Sequence, residues 1–476
     1  MSEGCEKVKI QIDKIYYLFF WLVVSFGYFF MMPTFTEDLE GVVSASLVQL
    51  LLFIIGYVYV SYLNRSFISL YSIFMIVFYL FQNGQVLLYS LGVEYDYFYV
   101  LRYDETIVLQ SVIFSTQCLI AAFMAGVFST KKEVSKPLYS YMDQLEREKL
   151  ITAGKLFWGA FAIFALPFMM MKFVITSTSG YFAMIRFVGS LPTITVLFEK
   201  MFIASSVFLV VYLKSEETWS KFLKVVILGW SIMAALTGDR TVGLAGIVTL
   251  ALIQTLIGNR KKKIKFSQYA LLVGAAVVVM YLMSFAFQFR MQQDSKVSGL
   301  QTAVVEMIGT LGFSFFPLVL TIRIVPTSIN FFRGKSYIAA IITGLIPSNF
   351  DFLHLTKTLS EWNAYPTELL DTIYHYGFGL DYSLIAEAYI NFGSYGWIAI
   401  FFLCSLIAYF VRDVDFKRKD NLFSQYASLI LLYSWFTLPR RKSYFIFNNF
   451  FWYVLFFGLA LILVSRSIKQ RKEFKK

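Results

Sequence analysis

The sequence predicts an all-α, polytopic integral membrane protein with about twelve transmembrane helices. Hydrophobic residues make up 58% of the chain and aromatic residues 19%. The mean hydropathy is +0.65, and all three values exceed those of ordinary globular domains. Apolar runs of about 20 residues recur along the chain, and many tyrosines lie where these runs end, as they do in the aromatic belts of membrane helices.

The apolar runs divide the chain into three parts: 1–287 with nine spans, a long interval at 288–393, and 394–476 with three spans and a basic tail. The first run, from Ile15 to Met32, is followed by acidic residues instead of a cleavage site, which predicts a first span and no cleavable signal peptide. The spans are predicted at about 15–32, 44–63, 67–91, 107–128, 153–171, 191–213, 222–237, 242–258, 267–287, 394–411, 422–438 and 444–464.

The distribution of Lys and Arg predicts that both termini are cytoplasmic. With the N-terminus inside, 28 of the 42 basic residues fall in cytoplasmic segments and 13 in outer ones, as the positive-inside rule requires. The net charge of +12 then mostly records membrane orientation, so we expect no nucleic acid among the partners.

The interval 288–393 is the one long interval between predicted spans, and the charge distribution puts it outside the membrane. It contains both histidines of the chain, His354 and His375, and several carboxylates. Its apolar stretches at 307–325 and 336–347 predict a hairpin that re-enters the membrane. The stretch 347–379 mixes aromatic and polar residues as sugar-binding surfaces do, so we expect the chemistry in this interval.

Three arginines lie on the outer side, against the orientation rule. Arg240 follows a tight turn between two spans, and Arg440 and Arg441 occupy a second such turn. Because the arginine fork matches phosphate oxygens, these positions indicate a phosphate-binding site. The alternative is that the side chains extend to lipid headgroups.

Two further outer arginines are second choices for the same site. Arg186 belongs to a short amphipathic segment expected on the membrane surface. Arg290 follows the ninth span and could instead anchor a helix end at the interface. Glu199 and Lys200, inside the sixth span, are expected to face the bundle or each other. The sequence contains no cluster with metal-ligand spacing and no nucleotide-binding loop, so no metal and no cofactor are predicted.

Two motifs resemble those of a known family. Residues 377–397 read GFGLDYSLIAEAYINFGSYGW, and Leu236 to Arg240 read LTGDR. The first resembles the S-x-x-A-E-x-Y-x-N-F-G-x-x-G signature of the O-antigen polysaccharide polymerases, the Wzy family. The second is similar to a turn of the same family and of the related O-antigen ligases.

The resemblance implies a GT-C-like membrane glycosyltransferase of the bacterial cytoplasmic membrane. Its substrates would be undecaprenyl-pyrophosphate-linked oligosaccharides, joined on the outer face into O-antigen, capsule or a similar polysaccharide. Nucleotide sugar and ATP would be unnecessary because the donor is already activated. A flippase and a chain-length regulator are the partner proteins that such a role implies.

In that reaction an acceptor hydroxyl attacks the donor's anomeric carbon while lipid pyrophosphate leaves. Cations should stabilise the leaving group, and a carboxylate or imidazole should take the hydroxyl proton. The arginines above fit the first need, and Glu387, Asp381 and His354 are candidates for the second. Each has a structural alternative. Glu387 could brace the following span through backbone hydrogen bonds, and Asp381 could cap the helix that begins near Ser383. His354 is a lone loop histidine, and such residues are more often structural than catalytic.

Two other functions stay open at this point. A flippase or other transporter of lipid-linked oligosaccharides would also have many spans, but the long interval after the ninth span and the lack of an internal repeat are atypical of transporters. A ligase that passes finished glycan to another acceptor shares the chemistry of the polymerase.

Overall fold

The computed structural model describes residues 2–94, 103–130, 144–213, 218–238, 240–252, 299–346, 382–416 and 437–454, together with positions 274, 281, 358, 359 and 362. Within these ranges the regular structure is helical and contains no strand, which confirms the predicted all-α class. The helices are α1 (Ser2–Met31), α2 (Leu39–Leu63), α3 (Leu70–Ser90), α4 (Glu105–Ala125), α5 (Gln144–Ser179), α6 (Tyr181–Ser190), α7 (Thr193–Tyr212), α8 (Thr218–Leu236), α9 (Arg240–Leu252), α10 (Leu300–Gly312), α11 (Phe316–Ile324), α12 (Lys335–Leu345), α13 (Leu384–Phe392), α14 (Trp397–Phe416) and α15 (Ser443–Asn449).

Seven helical segments of the described residues are long and apolar enough to cross a membrane. They are Ile12–Thr34, Leu39–Leu63, Leu70–Ser90, Glu105–Ser129, Glu148–Ser179, Thr218–Leu236 and Leu300–Ile324. The first six correspond to predicted spans. The predicted spans at 267–287 and 422–438 lie almost entirely outside the described residues, as do the C-terminal parts of those at 242–258 and 444–464.

The seventh segment begins before the apolar stretch that was predicted at 307–325. Leu300–Ile324 consists of α10, a short 3-10 turn and α11, and its 25 residues suffice for a full crossing. The re-entrant hairpin stays a prediction. The second predicted passage, 336–347, corresponds to α12, which is shorter than a membrane crossing. The sequence signal was ambiguous because hydropathy reports how apolar a run is, and not how deeply it enters the bilayer.

The chain forms two compact units. The first comprises Met1–Val134, Val304–Arg412 and Leu438–Phe447, and the second comprises Ser135–Ala303, Asp413–Thr437 and Asn448–Lys476. Helices α3 and α4 form the centre of the first unit. In each of them 72% of the most apolar stretch is buried inside the protein, compared with 17% in α1. Large rings such as Tyr71, Phe78 and Phe123 fill this core.

Helices α3 and α10 touch through their backbones. A Cβ atom placed on Gly84 would lie 2.6 Å from the carbonyl oxygen of Ile308, and one on Gly312 would overlap the backbone at Gln85. Only glycine at both positions permits this approach. The contact places residues 308–312 of the long interval against the most polar part of α3.

In the second unit, α5 packs against α7 and α8 packs against α9. Lys172 of α5 forms an ion pair with Glu199 of α7, with 2.7 Å between Nζ and Oε1. Their side chains are 9% and 13% exposed, as expected for charges within an apolar bundle. The expectation that Glu199 faces the bundle is confirmed, and its ion-pair partner is Lys172 of α5.

Candidate active site

The first motif forms helix α13 and the turn after it. Ser383 is the N-cap residue, and its hydroxyl accepts a hydrogen bond from the Ala386 N–H at 3.3 Å. The helix ends at Gly393, which has a positive φ of 57°. The suggestion that Asp381 caps this helix is therefore wrong, because the cap position belongs to Ser383. Asp381 itself lies outside the described residues.

Glu387 is buried within the first unit, with 1% of its surface exposed. Its Oε2 accepts a hydrogen bond from the backbone N–H of Ser443 at 2.6 Å. Its Oε1 accepts hydrogen bonds from the hydroxyls of Ser443 at 2.8 Å and Ser336 at 3.0 Å. The carboxyl thus joins α13 to the start of α15 and to α12. These contacts support the structural alternative for Glu387, and they leave its role as a base a prediction.

Burial raises the pKa of the Glu387 carboxyl above its ordinary value. The hydrogen bonds from Ser443 and Ser336 and the charge of Lys442 act in the opposite direction. The net result is a carboxyl that takes up a proton at higher pH than an exposed glutamate does.

Asn391, one turn after Glu387, extends the same network. Its Nδ2 donates to the Ser336 hydroxyl and to the main-chain oxygen of Glu387, both at 2.7 Å. Its Oδ1 accepts from the N–H of Gly334 at 3.0 Å, and its main-chain oxygen accepts from the N–H of Arg333 at 3.0 Å. Glu387 and Asn391, the charged and amide members of the motif, therefore act together to fix α13 against the turn that precedes α12.

Arg440 and Arg441 lie in a short segment that runs from a 3-10 turn at Leu438–Arg440 to the start of α15. Both side chains are half-buried, and the Arg441 guanidinium lies 4.7 Å from the ring centroid of Phe445. Pro439 at the start of the segment is buried, and its carbonyl oxygen accepts a hydrogen bond from Nε2 of Gln82 in α3 at 2.5 Å. This segment, Leu438 to Ser443, is called the arginine turn below.

The remaining predicted site residues are spread over the chain. Arg240 begins α9 in the second unit. Two residues earlier, Gly238 has a φ of 104°, and a Cβ atom there would collide with the ring of Tyr181. Arg186 of α6 is exposed, and its Nε lies 3.5 Å from the carbonyl oxygen of Phe182. Arg290 and His354, like Asp381, lie outside the described residues.

The comparison with protein families decides what these motifs belong to. A family model described as O-antigen polysaccharide polymerase Wzy matches residues 17–472, nearly the whole chain. The chain belongs to the Wzy family. No curated protein and no solved structure matches it.

Membership of the Wzy family makes the chain a multi-pass membrane protein with the general role of an O-antigen polymerase, a glycosyltransferase-type enzyme that acts on lipid-linked oligosaccharides. Among the described residues of this Wzy protein, no group of three or more His, Cys, Asp and Glu side chains could hold a metal ion.

Sequence reasoning missed three residues of this Wzy protein that contact Glu387 or the arginine turn. Ser336 and Ser443 bind Glu387 from 51 and 56 positions away in the chain, and serines at such separations carry no pattern. Gln82 did have a signal, because it belongs to the run Gln82-Asn83-Gly84-Gln85 inside an apolar span. Amides in a membrane span are expensive and mark contacts that the fold requires.

Proposed function

We propose that the protein joins undecaprenyl-pyrophosphate-linked repeat units into a surface polysaccharide on the outer face of the bacterial cytoplasmic membrane. An acceptor hydroxyl oxygen bonds to the anomeric carbon of the donor unit as the bond from that carbon to the pyrophosphate oxygen breaks. Undecaprenyl pyrophosphate leaves with the bonding electrons, and the hydroxyl proton passes to a protein base.

The arginine turn is the observation that carries this proposal. Arg440 and Arg441 are adjacent, half-buried cations beside the motif helix α13. Guanidinium groups in a partly dry site bind pyrophosphate oxygens strongly and stabilise the charge that develops on the leaving group. Arg240 is also proposed to bind pyrophosphate, with Arg186 and Arg290 as second choices. The candidates for the base are Asp381, His354 and Glu387.

A reconstituted reaction tests the function. Purified protein in detergent, given only the lipid-linked repeat unit, should produce a ladder of longer glycans without nucleotide and in the presence of a metal chelator. A protein that moves the substrate between leaflets without extending it would be a flippase. One that transfers glycan only to a different acceptor would be a ligase.

Arginine substitutions test the site. Arg441→Ala and Arg440→Ala should slow chain growth by about a hundredfold or more, since each removes a donor to the leaving group. Arg441→Lys keeps the charge but loses the fork, so it should also be strongly impaired. Lys221→Ala, a change at an exposed position of α8, is the control. Normal chain growth in all three arginine variants would refute the proposed site.

A further inference from the structure

The arginine turn is held at both ends by buried side chains from other parts of the chain. At its start, Gln82 of α3 donates to the carbonyl oxygen of Pro439. At its end, Glu387 of α13 accepts from both the N–H and the hydroxyl of Ser443. Gln82 is 0% exposed and Glu387 is 1% exposed. All four residues belong to the first compact unit.

These contacts fall on main-chain groups that a helix does not satisfy. The N–H of Ser443 stands at the start of α15, where the first N–H groups of a helix have no intrahelical partner. The carbonyl of Pro439 lies in a single 3-10 turn, whose bond runs from the Arg441 N–H to the Leu438 oxygen at 2.9 Å. Because both groups are buried, Gln82 and Glu387 remove the cost of leaving them unpaired.

Such anchoring has a consequence for binding. An arginine fork forms two parallel hydrogen bonds to phosphate oxygens only if its backbone is well placed. If the segment were mobile, binding would have to supply the cost of ordering it, and affinity would fall. A short segment fixed at both ends avoids that cost and holds Arg440 and Arg441 ready for the ligand.

We propose that Gln82 and Glu387 are positioning residues that fix the arginine turn in the geometry that binds lipid pyrophosphate. The inference rests on the proposed function and extends it to two side chains that act through Pro439 and Ser443. Neither side chain needs to touch the substrate to do so.

Gln82 has a matched control three residues away. Gln85 lies on the same helix, is 1% exposed, and donates through Nε2 to the carbonyl oxygen of Gly309 at 3.1 Å. In each glutamine the buried Oε1 accepts no hydrogen bond from a described residue. Gln82→Met and Gln85→Met therefore remove equivalent bonds, but only the first removes a bond to the arginine turn.

The test measures binding of undecaprenyl pyrophosphate to the purified full-length protein in detergent, together with thermal unfolding. Gln82→Met should weaken binding about fivefold to tenfold, the effect of one hydrogen bond. Gln85→Met should bind within about twofold of the wild type while losing a similar amount of thermal stability.

A second pair of variants tests the other end of the turn. Ser443→Pro removes the N–H that binds Oε2 of Glu387, and proline is accepted in the first turn of a helix. Ser443→Ala removes only the hydroxyl. Binding should be weaker in Ser443→Pro than in Ser443→Ala.

Two results would overturn the proposal in distinguishable ways. Normal binding in both Arg440→Ala and Arg441→Ala removes the pyrophosphate site itself, and the inference falls with it. Weakened binding in these arginine variants, with Gln82→Met and Ser443→Pro equal to their controls, overturns the positioning role alone.

Discussion

Replacing Glu387 with glutamine separates the two roles open to this carboxyl, acceptor base and support of the arginine turn. Glutamine has the same shape as a protonated glutamate but takes up no proton at neutral pH. A base role requires the carboxylate, so Glu387→Gln would abolish it. A supporting role depends only on the hydrogen bonds that the side chain makes.

The structure shows how glutamine can keep those bonds. An amide oxygen in place of Oε2 still accepts from the Ser443 N–H, which lies 2.6 Å away. An NH2 group in place of Oε1 donates to the hydroxyl oxygens of Ser443 and Ser336, at 2.8 and 3.0 Å, because a hydroxyl can also accept. All three contacts survive, and we expect a loss of about 1 kcal/mol or less. Glu387→Leu loses all three and leaves a buried N–H unpaired, which should cost roughly 3–5 kcal/mol.

The assay is the rate of chain growth on lipid-linked repeat units, measured beside thermal unfolding of each variant. If Glu387 supports the turn, Glu387→Gln should retain activity within about fivefold of the wild type, the equivalent of 1 kcal/mol, while Glu387→Leu should lose most of it. A glutamine variant that is stable and binds undecaprenyl pyrophosphate normally, yet makes no ladder, would refute this reasoning and assign the base to Glu387. If Glu387→Gln stays active, the base is another residue, and Asp381→Asn or His354→Ala should bind undecaprenyl pyrophosphate but make no ladder.

Three further predictions concern pH, the buried ion pair and topology. The pKa of Glu387 is raised in the folded protein, so just below that pKa the folded state holds a proton that the unfolded chain has lost. The wild type should therefore gain thermal stability relative to Glu387→Gln as the pH falls through the pKa. Parallel curves of unfolding temperature against pH for the two proteins would contradict this. Lys172→Met and Glu199→Gln should each destabilise the protein by roughly 3 kcal/mol because each removes one half of a buried ion pair. The double variant should be closer to the wild type in thermal unfolding, and additive losses would argue against the pair. Cysteine in the variant Glu361→Cys should react with an impermeant reagent in intact cells, and reaction only after lysis would reverse the predicted topology.

The helical class and the positions of six spans could be predicted because they depend on a local property. An apolar run of about 20 residues is stable as a membrane helix whatever its neighbours are. The predicted spans at 44–63, 67–91 and 107–128 thus agree with α2, α3 and α4 within a few residues at most of their ends.

The connections within the site could not be predicted, because they depend on which distant residues meet. Glu387 and the arginines were found from the chemistry of single residues and from a motif. That Glu387 binds Ser443, and that Gln82 binds Pro439 across 357 positions, follows only from the packing of α3, α13 and the arginine turn. The wrong prediction of the helix cap has a similar cause. Asp381 and Ser383 are both residue types that cap helices well, and Ser383 is the cap because the helix begins at Leu384.

The glycine crossing of α3 and α10 has a consequence for how the sequence can change over time. No larger residue fits between the two backbones at Gly84 or Gly312. In contrast, an exposed apolar residue such as Phe26 or Ile163 can be replaced by another apolar residue, because it has no packed neighbour to match. Sequences with this fold should therefore diverge fastest at the exposed apolar positions that face lipid. A search for remote relatives should gain sensitivity by giving more weight to small residues and buried amides than to phenylalanine and leucine.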